Sequence, residues 1–215
     1  MKKFITLLVT LFAVVSLNAQ SFQYHQGYDF KGKATSQKFI ADFFWTSPNG
    51  SWNVFSWNNF GVNYNGENPG STDATALLYV EYKLGNSNFY VHPEVRLNTW
   101  CENYYQIGFA YLLPFKDLAI YLTPKYSYHG RHDFQCSINS SYENDWLYYE
   151  GYFDSDWVYK QPMTGENVIG FFTEQKFYYK VAKNFHLGVN LMLGADTVGG
   201  VYSFAPMAVA RVSLY

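Results

Sequence analysis

The residues of this chain able to do chemistry do not gather into a catalytic motif. They recur at every second position of short segments. In residues 89–98, Tyr90, His92, Glu94, Arg96 and Asn98 alternate with Phe89, Val91, Pro93, Val95 and Leu97. An extended chain turns successive side chains to opposite faces, so one face collects an imidazole, a carboxylate and a guanidinium while the other is apolar. Glu81 and Lys83 alternate in the same way with Leu78, Val80, Tyr82 and Leu84. Extending the alternation assigns Asp42, Glu81, Lys83, His92, Glu94, Arg96, Lys125, Glu174, Lys176, His186 and Arg211 to one polar face, with Tyr79, Tyr90, Tyr104, Tyr121, Phe172 and Tyr178 beside them.

Acids and bases are mixed on that face, so no single-sign field selects strongly for anions or cations. Rings supply stacking surface and the charged groups supply hydrogen bonds. The combination suits the passage of a neutral polar solute with a planar or sugar-like part. The competing expectation is a closed structural network that fills the interior, with Glu94 satisfied by Arg96 or Lys83.

Other chemistry is sparse. The chain has no Gly-x-Ser-x-Gly elbow, His-Glu-x-x-His, phosphate loop or dinucleotide fingerprint. The densest histidine cluster is Tyr128-His129-Gly130-Arg131-His132. With Asp133 it could be cast as the site of an outer-membrane lipid hydrolase or acyltransferase, although histidine at a strand end near an interface is ordinary. Cys101 and Cys136 leave a disulfide and two free thiols both open. The net charge of −2 gives no reason to expect nucleic acid, and no cofactor or metal is implied.

The elements that must position the polar face are strands. Residues 1–19 read as a signal peptide, with Lys2 and Lys3 before an apolar run and Leu17-Asn18-Ala19 as the cleavage pattern. Residues 20–215 are then expected to form one domain, with no apolar stretch long enough for a membrane helix. Aromatic residues make up 21% of the chain and charged residues only 15%. A soluble domain carries more charge and needs fewer rings, whereas a membrane barrel needs two interfacial girdles of them. Trp45, Trp52 and Trp100 are expected as interface anchors or loop packing.

The alternation repeats through Tyr105, Ile107, Phe109, Tyr111 and Leu113, through Leu118, Ile120, Leu122, Pro124 and Tyr126, and through Phe185, Leu187, Val189, Leu191 and Leu193. Short turns are expected at 48–51, 85–87, 114–117 and 182–184, and longer connections at 31–36, 65–73, 155–167 and 195–201. With the N-terminus in the periplasm, every short turn falls on the periplasmic side, as barrels require. Residues 132–140 and 146–154 read either as two strands, giving twelve, or as one long excursion, giving ten; twelve is favoured. The terminal Ala210-Arg211-Val212-Ser213-Leu214-Tyr215 is similar in part to the signal read by the barrel-assembly machinery, with Ser213 and Arg211 departing from it. The expected fold is thus all-β, a single antiparallel transmembrane β-barrel set in outer-membrane lipid, with both termini periplasmic and its oligomeric state open.

The alternating Tyr-, Trp- and Phe-rich strands and the opening Tyr28-Asp29-Phe30 resemble small outer-membrane proteins of Bacteroidetes. These are similar to the nucleoside-specific (Tsx-like) channel-forming family of narrow twelve-stranded barrels. The resemblance spans about residues 22–215 and rests on pattern, so it carries over no nucleoside-binding residue. It implies a solute class, nucleosides or polar nutrients of similar size, taken up passively.

Overall fold

In the computed structural model, which describes residues 21–28, 34–63, 70, 72–99, 103–129, 134–160, 167–197 and 200–214, the alternating segments are strands. They are β1 (Ser21–Tyr28), β2 (Ala34–Thr46), β3 (Trp52–Asn63), β4 (Thr72–Lys83), β5 (Phe89–Asn98), β6 (Tyr104–Leu113), β7 (Leu118–His129), β8 (Phe134–Glu143), β9 (Leu147–Lys160), β10 (Asn167–Ala182), β11 (Phe185–Asp196) and β12 (Gly200–Ser213). Each pairs with its neighbours in sequence, and β1 closes on β12 in antiparallel register from Ser21↔Ser213 to Gly27↔Met207. Closure leaves no strand edge, which a hydrocarbon environment demands because it offers backbone groups no other partner.

Twelve strands form, so the region from 134 to 160 is two strands rather than an excursion. The short turns at 48–51, 85–87, 114–117 and 182–184, with another at 144–146, all lie at the end of the barrel where β1 starts and β12 stops. Gly50 and Gly85 take left-handed φ of 67° and 60° in two of them, and Asn49 accepts hydrogen bonds from Ser47 Oγ and Ser51 N at 2.7 and 3.1 Å.

At the other end the strands reach further than the sequence suggests. β9 continues to Lys160 and β10 starts at Asn167, where a connection was expected over 155–167. Likewise β2 begins at Ala34, β11 ends at Asp196 and β12 begins at Gly200. Strand pairing uses backbone groups and needs no apolar side chain, so Ser155 and Asp156 pair with Phe171 and Gly170 although their composition reads as loop.

The faces are inverted relative to a soluble domain. Ile107, Phe109 and Val189 on the outside are 53%, 56% and 49% exposed, while Glu94 and Lys125 inside are 3% and 2% exposed. Only an apolar surrounding solvent stabilises that arrangement. Rings band the outer surface near the short turns, where Trp52 packs on Tyr82 at 4.6 Å and Phe89 on Tyr111 at 4.5 Å, with Trp45 also exposed. Trp100 lies outside the described residues.

A few polar side chains face outward and satisfy one another. The Tyr149 hydroxyl donates to Gln175 Oε1 at 2.6 Å, and Gln175 Nε2 donates to Thr173 Oγ1 at 2.8 Å. Cys136 also points outward, as a free thiol. Cys101 lies outside the described residues, as do residues 1–19, the stretch expected to be a signal peptide.

Candidate functional site: the barrel lumen

The inward positions of β3 to β7 build the first polar cluster. His92 places Nδ1 2.9 Å from Glu81 Oε1 and Nε2 3.2 Å from Glu94 Oε2. A neutral imidazole donates from one nitrogen only, so this bridge is satisfied by an imidazolium or by a proton held on a carboxyl. Glu94 also receives Lys125 Nζ at 2.9 Å and Arg96 Nη2 at 3.1 Å, and Asn53 Nδ2 donates to Glu81 at 3.2 Å. Gly108 stands between His92 on β5 and Lys125 on β7 in the register. A Cβ there would strike the Pro124 carbonyl and the Lys125 backbone, so this position must stay bare.

A second cluster spans β1, β2 and β9 to β12. Arg211 pairs with Glu150 and lies over the Tyr148 ring at 4.4 Å. Lys176 Nζ is 3.7 Å from both Glu150 and Glu174, and Asn190 Nδ2 donates to Glu174 at 3.0 Å. His25 links onward. Its Nδ1 lies 3.2 Å from Asn190 Nδ2 and its Nε2 3.0 Å from Gln23 Oε1, a pair that the Nε2–H tautomer satisfies. Tyr178 OH donates to the same Gln23 oxygen at 2.9 Å, and Gln23 Nε2 donates to Asp42 at 2.7 Å.

The third cluster is neutral apart from one acid. Gln106 donates to Ser127 and Gln135 at 2.9 and 2.8 Å. Asp154 accepts from Gln135, Ser137 and Tyr152 at 2.7, 2.9 and 2.6 Å.

Every described residue of the set drawn from the sequence points inward: Asp42, Glu81, Lys83, Tyr90, His92, Glu94, Arg96, Tyr121, Lys125, Glu174, Lys176, His186 and Arg211. They do not form one site. The first cluster takes Glu81, His92, Glu94, Arg96 and Lys125, and the second takes Asp42, Glu174, Lys176 and Arg211. Glu94 finds its cations in Arg96 and Lys125, and Lys83 sits beside Tyr90 outside both clusters. Tyr79, Phe172 and Tyr178 are inward as well, while the side chain of Tyr104 lies outside what is described. The same holds for His129, and His132 and Asp133 fall outside the described residues altogether. Among the described residues no group of three His, Cys, Asp or Glu side chains is arranged to hold a metal ion.

Sequence reasoning missed Phe44, Phe55, Trp57, Asn139, Glu150 and Asp154, all inward. Parity could have found one of them, because Phe44 is two residues from Asp42, which already belonged to the inward set. Phe55 and Trp57 hid because β3 carries rings on both faces.

Within this packed interior some surface stays wet. Asn139, inward at the middle of β8, is exposed, and Tyr79, Tyr121, Tyr148, Glu150 and Tyr152 are half-buried. At the short-turn mouth a cavity of about 450 Å³ is lined by Leu112, Ala119, Ser141, Glu143 and Tyr148 among others. The side of the lumen formed by His25, Tyr178 and Asn190 is fully packed, each being 0% exposed.

A closed twelve-stranded barrel with an apolar exterior and a hydrogen-bonded polar interior defines a transmembrane β-barrel of the outer membrane. Solved structures share that architecture. The KdgM porin is similar with a TM-score of 0.55 and 14% identity, over 91% of this chain and 99% of that chain. The NanC porin is similar with a TM-score of 0.60 and 11% identity, over 90% and 99%. An outer membrane channel from Pseudomonas putida F1 is similar with a TM-score of 0.55 and 10% identity, over 90% and 94%. No family model matches the chain, and no curated protein matches it.

Proposed function

We propose that this protein is a passive outer-membrane channel for small, neutral polar solutes. The observation that carries the reading is Asn139: it points into the barrel at mid-strand and remains exposed, while charges around it are paired off. A lumen whose acids and bases neutralise one another sets up no strong field against an uncharged solute. The KdgM porin has also been solved with oligogalacturonate, an acidic sugar chain. The mixed charges here favour a neutral ring compound instead, a nucleoside or a short sugar, and the residues in position to meet it are Arg96, Tyr121, Asn139 and Glu150. Transport needs no cofactor and no chemical step from these residues.

The test is single-channel recording of the refolded protein in a planar bilayer. Discrete current steps that shrink in Asn139→Trp, with folding unchanged, are the expected result. A second reading, a closed structural barrel, draws on the fully packed side around His25, Tyr178 and Asn190. A correctly folded protein that carries no current would establish that reading in place of the channel.

A further inference from the structure

The three charged and polar clusters leave one inward surface with no hydrogen-bonding task. Phe44 on β2, Phe55 on β3 and Tyr79 on β4 are direct cross-strand neighbours, Phe44↔Phe55 and Phe55↔Tyr79. The parity that turns Asp42, Asn53 and Glu81 inward turns these three inward with them. Phe55 and Tyr79 stack with centroids 5.0 Å apart and planes at 26°. Tyr79 meets His92 at 4.6 Å, which joins the row to the first cluster. Trp57 lies two positions along β3 from Phe55, paired with Asp42 and Leu77. Phe44 is close to the short-turn end of β2, so the row leads from that mouth into the barrel.

Interior rings that merely fill space are buried: Tyr178 is 0% exposed and Tyr90 7%. Phe44 is 41% exposed although it faces inward, and Phe55, Trp57 and Tyr79 are half-buried. Apolar area kept wet inside a protein is unfavourable and marks a place where a partner sits. The Tyr79 hydroxyl makes no hydrogen bond among the described residues. Across the ring of strands β9 stands opposite β3, and Tyr148, Glu150 and Tyr152 project inward from it beside the exposed Asn139.

We propose that Phe44, Phe55, Trp57 and Tyr79 form a stacking track that binds the flat face of a neutral ring solute. The β8–β9 wall takes the polar edge of the same molecule. The shared chemistry is a weakly polar ring face with hydroxyl groups around it, which a pyranose sugar and a nucleoside both offer. This deepens the channel reading and rests on it for the route by which solute arrives, though binding itself does not require an open pore.

The experiment uses the full refolded protein and three probes: adenosine, maltotriose, and sorbitol as an acyclic polyol with no ring face. Each is tested as a blocker of single-channel current and by calorimetric titration in detergent. Adenosine, maltotriose or both should bind, and sorbitol should not. Losing one stacking partner typically weakens ring binding by a factor of about five to a hundred. Phe55→Leu and Phe44→Leu, which keep apolar volume, should therefore weaken binding about tenfold each. Tyr79→Phe should keep the stacking and lose only the hydroxyl contribution. Adenosine without maltotriose assigns the track to nucleobases, and the reverse assigns it to sugars.

Equal binding by sorbitol, binding unchanged in both leucine variants, or no binding by any probe would overturn the track. A folded barrel that carries no current yet still binds a ring probe in a Phe55-dependent way would overturn the channel and leave the track standing.

Discussion

Lys125 reaches across Gly108 to set its ammonium 2.9 Å from Glu94 Oε2, joining β7 to β5 over the strand between them. Both side chains are almost inaccessible to solvent, at 2% and 3%. The pair therefore cannot fall back on water when one partner is removed. Glu94→Gln strands the Lys125 charge, and breaking a buried pair in this way costs about 3–5 kcal/mol. Urea unfolding in detergent should show the loss, and Glu94→Gln with Lys125→Met should recover most of it. Simple addition of the two single losses would show that the residues are not coupled.

Gly108 is held bare by the same geometry. In Gly108→Ala the new methyl meets the β7 backbone, which has no rotamer to give, so β6 and β7 must separate locally. Overpacking of this kind costs about 1–3 kcal/mol. The variant should unfold at lower urea while Gly50→Ala, with open space around it, shows no clash and only the strain of its φ of 67°. Equal cooperativity and midpoint for Gly108→Ala and the wild type would show that the strands do not approach so closely.

The closed barrel was legible because period-two alternation survives in nearly every strand, as in Phe89–Asn98, where the two faces separate cleanly. Strand ends were not. Ser155 and Asp156 pair as strand residues but carry the side chains of a loop, since only the membrane-spanning part of a strand must be apolar outside. The polar lumen set followed from parity alone. Its division into separate clusters did not, because Lys125 meets Glu94 at a sequence separation of 31 and Arg211 meets Glu150 at 61. The ring track stayed hidden for a local reason: β3 places Trp52 and Phe60 outside and Phe55 and Trp57 inside, so no single face looks apolar.

Adjacent residues on β7 test which side faces lipid. Leu122 points outward and is 37% exposed, whereas Tyr121 points inward. Arginine on the lipid face costs about 2–4 kcal/mol near the midplane. Leu122→Arg should lose that much in refolding titrations into vesicles, while Tyr121→Arg should refold nearly as the wild type does. Similar losses in both variants would contradict the assignment of faces.

Glu150 is a lumen acid placed to act on a passing ion, because its side chain is 24% exposed while it pairs with Arg211 and approaches Lys176. Glu150→Gln removes one negative charge and leaves both cations facing the lumen, so selectivity must move toward anions. The reversal potential in a KCl gradient reads the sign directly. Screening sets its size: the Debye length is about 10 Å at 0.1 M salt and about 3 Å at 1 M. The shift should therefore be large when the gradient is centred near 0.1 M and small near 1 M. The conservative Glu150→Asp keeps the charge and should return the potential toward that of the wild type. An unshifted potential in Glu150→Gln at low salt would place Glu150 outside the conducting path, and a shift toward cations would reverse the charge assignment of this wall.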